Sequence, residues 1–250
     1  MRSSKLIVEI AIAAAVIFLV LFWSLAQGAL LHGHLMALDT SVLHTITLIR
    51  SSGLTGLMLF FTYLGNWQVI ISLELLLLII FALYHRRRSP LLFIVALVVG
   101  EAVSLFFKYM TGRDRPEDAL LSLSGSTSFP SGHALVAVVV YGLIAYLLCH
   151  VFKEKWQKAL ITLGGAVVIF MVGISRVYLG VHWLSDVIGG WLLGFVVLVG
   201  LVFLYEKTRM LFEKERPVTF KNKKLLFIVA AAITVEIGFI FYFFLTNPVT

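Results

Sequence analysis

The sequence predicts an all-α fold: a polytopic membrane helix bundle of six core transmembrane helices plus an extra C-terminal helix, forming a single domain over residues 1–250. Three observations carry this. Of 250 residues, 60% are hydrophobic and only 13% charged, where a soluble domain carries roughly a quarter charged residues. The mean hydropathy is +1.01. The apolar residues also fall into runs close to the length of about 20 residues that a helix needs to cross a bilayer.

Those runs lie at about 6–27, 66–85, 90–110, 132–151, 158–175, 184–205 and 225–246. The first follows Arg2 and Lys5. Ala26–Ala29 weakly resembles a cleavage site, but a signal peptide has a shorter apolar core, so a retained helix is expected. Residues 35–64 are ambiguous. Leu57–Tyr63 is apolar but short, and Gly65-Asn66 breaks it; the stretch is either an interfacial helix or an early part of the second span. The second run ends in His85-Arg86-Arg87-Arg88, the third in Lys108, and the fourth opens just after Pro130-Ser131. Lys153, Lys155 and Lys158 separate the fourth from the fifth, and Lys207, Arg209, Lys214, Arg216, Lys221, Lys223 and Lys224 separate the sixth from the last. There is no internal repeat and no low-complexity tract. Cys149 is the only cysteine, so no internal disulfide forms.

The formal charge of +7 is carried mainly by these short loops. That pattern reads as topology and not as a nucleic-acid surface. Counting crossings puts the four basic groups on one side, which the positive-inside rule makes cytoplasmic together with the N-terminus. The expected location is the plasma (inner) membrane. Lys108, Arg113, Arg115 and Arg176 fall on the opposite side and need another reason.

They lie in three stretches at the ends of spans: KYMTGRDRP (108–116), PSGH (130–133) and SRVYLGVHWLSD (175–186). Arginine forks match phosphate oxygens and lysine adds a point charge. A helix N-terminus offers free N–H groups and a positive dipole end. Ser131 is placed to cap such an end or to donate to a phosphate oxygen, Gly132 lets a ligand approach the backbone, and His133 follows in the first turn. His182 and Asp186 stand four apart and share a helix face if the sixth span begins near Val181. A carboxylate on one imidazole nitrogen fixes the tautomer and makes the other nitrogen a better nucleophile or base.

These stretches resemble the signature of the type-2 phosphatidic acid phosphatase superfamily, K-x6-R-P, P-S-G-H and S-R-x5-H-x3-D. Here it stands as Lys108…Arg115-Pro116, Pro130-Ser131-Gly132-His133 and Ser175-Arg176…His182…Asp186. The motifs cover residues 108–186, and the span at about 225–246 departs from the family's usual six helices. The resemblance implies a membrane lipid phosphatase needing no metal or cofactor, with its site on the non-cytoplasmic face. His182 would be the nucleophile, Asp186 its support, and His133 the acid and then the base. Lys108, Arg115, Ser131, Gly132 and Arg176 would hold the phosphate. The implied partners are the membrane and a phospholipid or polyprenyl phosphate, such as phosphatidylglycerophosphate, undecaprenyl pyrophosphate or phosphatidic acid. A lipid phosphotransferase, or an inactive lipid-binding or transport protein, are the rival readings. The related vanadate-dependent haloperoxidases are soluble, which this chain is not.

Other residues read more plainly. Arg113 is either loop charge or a secondary substrate contact. His32, His34 and His44 match no metal-ligand spacing and read as interfacial polarity. Glu74, Glu101 and Glu236 are intramembrane carboxylates, which usually face a bundle interior. Glu101 stands two turns before Lys108, where it either contacts that lysine, lines a substrate groove, or is a buried structural acid. Cys149 reads as packing.

Overall fold

A computed structural model describes residues 2–31, 34–83, 88–121 and 127–208, with the isolated positions Thr234, Val235, Gly238 and Tyr242. The expected span at about 225–246, with Glu236 in it, lies outside the described residues apart from those four positions, as do His32 and the His85–Arg87 part of the basic loop.

The described residues form helices without strands: α1 (Arg2–Leu31), α2 (His34–Leu48), α3 (Ser52–Leu64), α4 (Trp67–Leu83), α5 (Arg88–Thr111), α6 (Gly132–Val151), α7 (Lys155–Tyr178) and α8 (Leu184–Thr208). By length and composition, four described stretches can cross a membrane: Leu92–Thr111, Gly132–His150, Lys155–Tyr178 and Leu184–Lys207. The pair α3 and α4, bent by 50° at its break, makes a fifth if it counts as one span. The apolar part of α1 is the shorter stretch Ile12–Gly28.

The ambiguous stretch 35–64 is two helices, neither long enough to cross alone. Their corner is fixed from outside. Arg50 Nε and Nη2 donate to the Tyr178 carbonyl, and Nη2 also donates to that of Asp118. The Ser51 hydroxyl accepts from Leu54 N at the start of α3, while the Ser51 backbone N–H donates to the Tyr178 hydroxyl. The break between α3 and α4 falls at Gly65-Asn66, as the sequence suggests.

Helix α6 is the centre of the bundle, packed against α5, α7 and α8, while α1 covers α8 and α3 covers α7. Phe22, Phe93, Phe129, Leu135, Val139 and Leu143 are fully buried in its main core. Close approach of α6 and α8 depends on Gly190: a Cβ there would stand 2.6 Å from the Ser131 carbonyl oxygen. The surface is apolar as well, with Val98, Leu105, Phe106, Leu160 and Leu163 exposed on α5 and α7. Burial in water would not leave such residues outside, but lipid does.

Alternating chain direction brings four helix termini to one end of the bundle: the C-termini of α5 and α7 and the N-termini of α6 and α8. Phe22 of α1 stacks on Phe129 and packs edge-on against Phe107 near that same end. All three motif stretches meet there.

Candidate active site

The motif loops are bonded to one another before any ligand enters. Ser128 N–H donates to the Arg113 carbonyl at 2.7 Å and Ser131 N–H to the Asp186 carbonyl at 3.0 Å. The Thr127 hydroxyl donates to the Lys108 carbonyl, and the Trp183 indole N–H to that of Asp114. Arg115 Nη1 donates to the Val181 carbonyl. The three motif stretches are therefore tied to one another at this end of the bundle.

Helix α6 starts at Gly132, with Ser131 as its N-cap. Ser131 does not cap with its side chain. Its Oγ is buried without a partner, so this hydroxyl is not spent on the cap. Gly132 faces Lys108: a Cβ on it would lie 3.9 Å from Lys108 Nζ and 3.3 Å from Ser104 Oγ. Lysine and helix N-terminus thus point at one place. Arg176, at the end of α7, is buried; Nη1 donates to Thr62 Oγ1 at 2.6 Å, and Nε has no partner.

His182 is 2% exposed. It does not share a helix with Asp186, because α8 begins only at Leu184. It sits in the turn before α8, and Asp186 closes that turn by accepting the Trp183 backbone N–H on Oδ2 at 2.8 Å. An acidic side chain three residues into a helix reaching back to the cap N–H is a common helix start. The same oxygen faces His182 Nδ1 at 3.5 Å. Arg115 Nη1 lies 3.3 Å from His182 Nε2. Guanidinium can only donate, so a bond from Arg115 takes the lone pair of Nε2; Nδ1, on the Asp186 side of the ring, makes no hydrogen bond. Burial holds the His182 pKa well below its ordinary value, and the cations Arg176, Arg115 and Lys108 push it the same way, partly opposed by a hydrogen bond with the Ser128 backbone. Burial also lowers that of Arg115, with Asp186 acting against it.

His133 stands on the other wall. Its Nε2 is 2.8 Å from Asn66 Oδ1 at the α3–α4 break. Nε2 is therefore the protonated nitrogen, and Nδ1 carries the lone pair of the neutral ring.

Three contributors lie outside the motifs: Thr62 on Arg176, Asn66 on His133, and Asp39 of α2. Asp39 is 1% exposed and accepts from Arg113 and Ser185. Of the two readings of Arg113, loop charge or a secondary substrate contact, loose loop charge does not hold. Arg113 is buried between Asp39 and Asp186, with ion pairs of 2.7 and 2.6 Å. Of the intramembrane acids, Glu101 is exposed and not buried, while Glu74 is buried with Oε1 unpartnered. Cys149 Sγ packs near the Lys158 carbonyl and Thr162. Among the described residues no group of three or more His, Cys, Asp or Glu could hold a metal ion.

Residues 89–210 match the model of the PAP2 superfamily. The chain is 33% identical over 181 residues to phosphatidylglycerophosphatase B of Bacillus subtilis, covering 72% of this chain and 89% of that protein. It is 37% identical over 152 residues to undecaprenyl-diphosphatase of Sulfolobus acidocaldarius, covering 56% of this chain and 66% of that one. The crystal structure of a transmembrane PAP2-type phosphatidylglycerolphosphate phosphatase from Bacillus subtilis superposes with a TM-score of 0.70 at 30% identity, over 81% of this chain and 98% of the other. Fold and relatives together define a class, the membrane-embedded lipid phosphatases. Within that class the chain belongs to the PAP2 superfamily.

Proposed function

We propose that this protein, as one catalytic domain, hydrolyses a phosphomonoester or pyrophosphate of a lipid through a phosphohistidine on His182. The observation that carries the proposal is the orientation of His182: Nε2 lies 3.3 Å from Arg115 Nη1 of the basic cage, and Nδ1 lies 3.5 Å from Asp186 Oδ2.

In the first step Nε2 attacks phosphorus and the bond to the leaving oxygen breaks. His133 enters this step as the imidazolium, protonated on both nitrogens with the phosphate bound; it gives the leaving oxygen the proton on Nδ1 and is left neutral, its Nε2–H still engaged by Asn66. In the second step water attacks the phosphohistidine, His133 Nδ1 takes the water's proton, and inorganic phosphate departs with Nε2 restored. Lys108, Arg115, Arg176, the Ser131 hydroxyl and the α6 N-terminus neutralise the charge that grows on the equatorial oxygens. This is preorganised electrostatic stabilisation, and it makes the reaction metal-independent.

The relatives act, by name, on phosphatidylglycerophosphate and undecaprenyl diphosphate, and these head the substrate classes. The position at helix ends suits a lipid, whose tails stay in the bilayer while the headgroup reaches the cage. Lys153 and Lys155 at the α6–α7 connection, at the other end of the bundle, support a cytoplasmic N-terminus and a site on the outer face of the plasma membrane. A phosphotransferase would share the first step and differ only in its acceptor.

The deciding experiment is phosphate release by purified protein in detergent with EDTA, over a panel of lipid phosphates, beside His182→Ala. Metal-independent release, lost in the variant, is expected. Equal release by both proteins would exclude His182 as nucleophile.

A further inference from the structure

The phosphohistidine reading explains why His182 and Asp186 touch. It does not explain why Asp186 is itself gripped from behind by groups that belong to no motif. Asp39, on α2, uses both carboxylate oxygens. Oδ1 accepts the Ser185 backbone N–H at 2.9 Å, and Oδ2 accepts from Arg113 Nη2 at 2.7 Å and from the Ser185 hydroxyl at 2.5 Å. Arg113 reaches the other way, with Nη1 donating to Asp186 Oδ1 at 2.6 Å and to Ser185 Oγ at 2.7 Å. Its guanidinium carbon lies 5.6 Å from the centre of the Trp183 ring. Asp39, Arg113, Ser185 and Asp186 are all at most 4% exposed.

The signs alternate along this chain: Asp39 negative, Arg113 positive, Asp186 negative, then His182. Arg113 occupies Oδ1 of Asp186 and so stops the carboxylate from turning, leaving Oδ2 aimed at His182 Nδ1. Arg113 alone would also cancel the charge that Asp186 offers to the imidazole. Asp39 balances Arg113, so the trio keeps the single negative charge of one carboxylate. Orientation is gained without loss of field, as when outer partners hold the carboxylate behind a histidine.

Resting on the phosphohistidine reading, we infer that Asp39 and Arg113 are positioning residues for the reaction: a buried relay that fixes the carboxylate of Asp186 and maintains its charge toward His182. Neither touches the phosphate cage; they act through Asp186.

The test compares full-length wild type, Arg113→Gln, Asp39→Asn, the double variant and His182→Ala in detergent, hydrolysing a short-chain phosphatidic acid. Each single variant should lose about 10- to 100-fold in kcat with KM within about twofold. Their pH profiles should move in opposite directions. Removing the cation moves the acid limb of kcat/KM up, and removing the outer carboxylate moves it down. The double variant should return toward wild type, because it keeps the trio's net charge. The other groups around His182 stay constant throughout: Lys108 of α5, Arg115 of the loop, His133 of α6, Arg176 of α7 and Asp186 of α8. A mere structural clasp between α2 and α8 would lower the melting temperature without opposite shifts, and that result overturns the relay. So does a kcat within twofold of wild type in both single variants. If a single variant fails to fold, the double variant, with neither charge buried alone, carries the test; an acid limb displaced by more than about half a pH unit there overturns the relay. His182→Ala separates the two readings. If it stays active, the phosphohistidine reading falls and the relay with it. If it is inert while Arg113→Gln works normally, only the relay falls.

Discussion

The two histidines face each other across the cage, and the walls behind them are built from different materials. Behind His182 stand two carboxylates and an arginine, all buried, bonded at 2.6 and 2.7 Å. Behind His133 stands one neutral amide, Asn66, at the bend between two helices. The difference fits the role proposed for each ring. A nucleophile needs one tautomer and a standing negative charge to support the bond it forms. A group that gives a proton and then takes one back must pass easily between charge states, and a fixed carboxylate would hold it in the cationic form.

The sharpest way to break this comparison is to remove the proposed nucleophile. His182→Ala should lose at least about 10³-fold in turnover and should trap no phosphate on the protein in an alkaline quench. His133→Ala should lose about 10²- to 10⁴-fold with a lipid alkoxide as leaving group. With p-nitrophenyl phosphate, whose leaving group needs no proton, it should give a burst and then stall as phosphoenzyme. A variant that shows no burst would undo the division of labour between the two rings.

Asn66→Ala tests the softer wall. It frees the His133 ring without exposing a buried charge, so a loss in kcat of about tenfold is expected, with phosphoenzyme formation and breakdown both slowed. A loss as large as that of His133→Ala would mean that the amide does more than orient.

The smallest expected effect is in pH. The folded state lowers the pKa of His182, so Nε2 should stay unprotonated into mild acid and the acid limb of kcat/KM should lie below the ordinary imidazole value of about 6.5. The sign for stability follows. Below about pH 6.5 the unfolded chain takes a proton that the folded chain refuses, so stability falls as pH drops through that window. Melts between pH 7.5 and 5 would show it, and His182→Ala should flatten the slope.

The side chains of the cage were legible in the sequence because they are chemically out of place. Lys108, Arg115 and Arg176 stand at span ends where topology gives no reason for positive charge, and the glycine and histidine after Ser131 open an otherwise apolar helix. The supporting wall was not legible. Thr62 and Asn66 lie 114 and 67 residues from their partners, are ordinary polar residues, and act only once α3 packs on α7 and ends beside α6. Asp39 did leave a trace, a single carboxylate in the apolar run 35–48. Nothing in spacing distinguishes Arg113 from Arg115 except the signature itself, and only the fold shows that they face opposite sides of His182. The helices were placed closely wherever a run was long and apolar. The stretch 35–64 resisted because two short helices joined at a bonded corner have no length signal of their own.

The cage lies at the end of a bundle whose flanks are clothed in exposed apolar side chains such as Leu105 and Phe106. Such an enzyme does not meet its substrate in three dimensions. Protein and lipid drift in one sheet, and what governs their encounter is the fraction of the sheet occupied by substrate, not its molarity in the tube. Diluting mixed micelles with buffer should leave the velocity per molecule unchanged. Diluting them with inert detergent at constant substrate should slow it, because the surface on which the search takes place has grown.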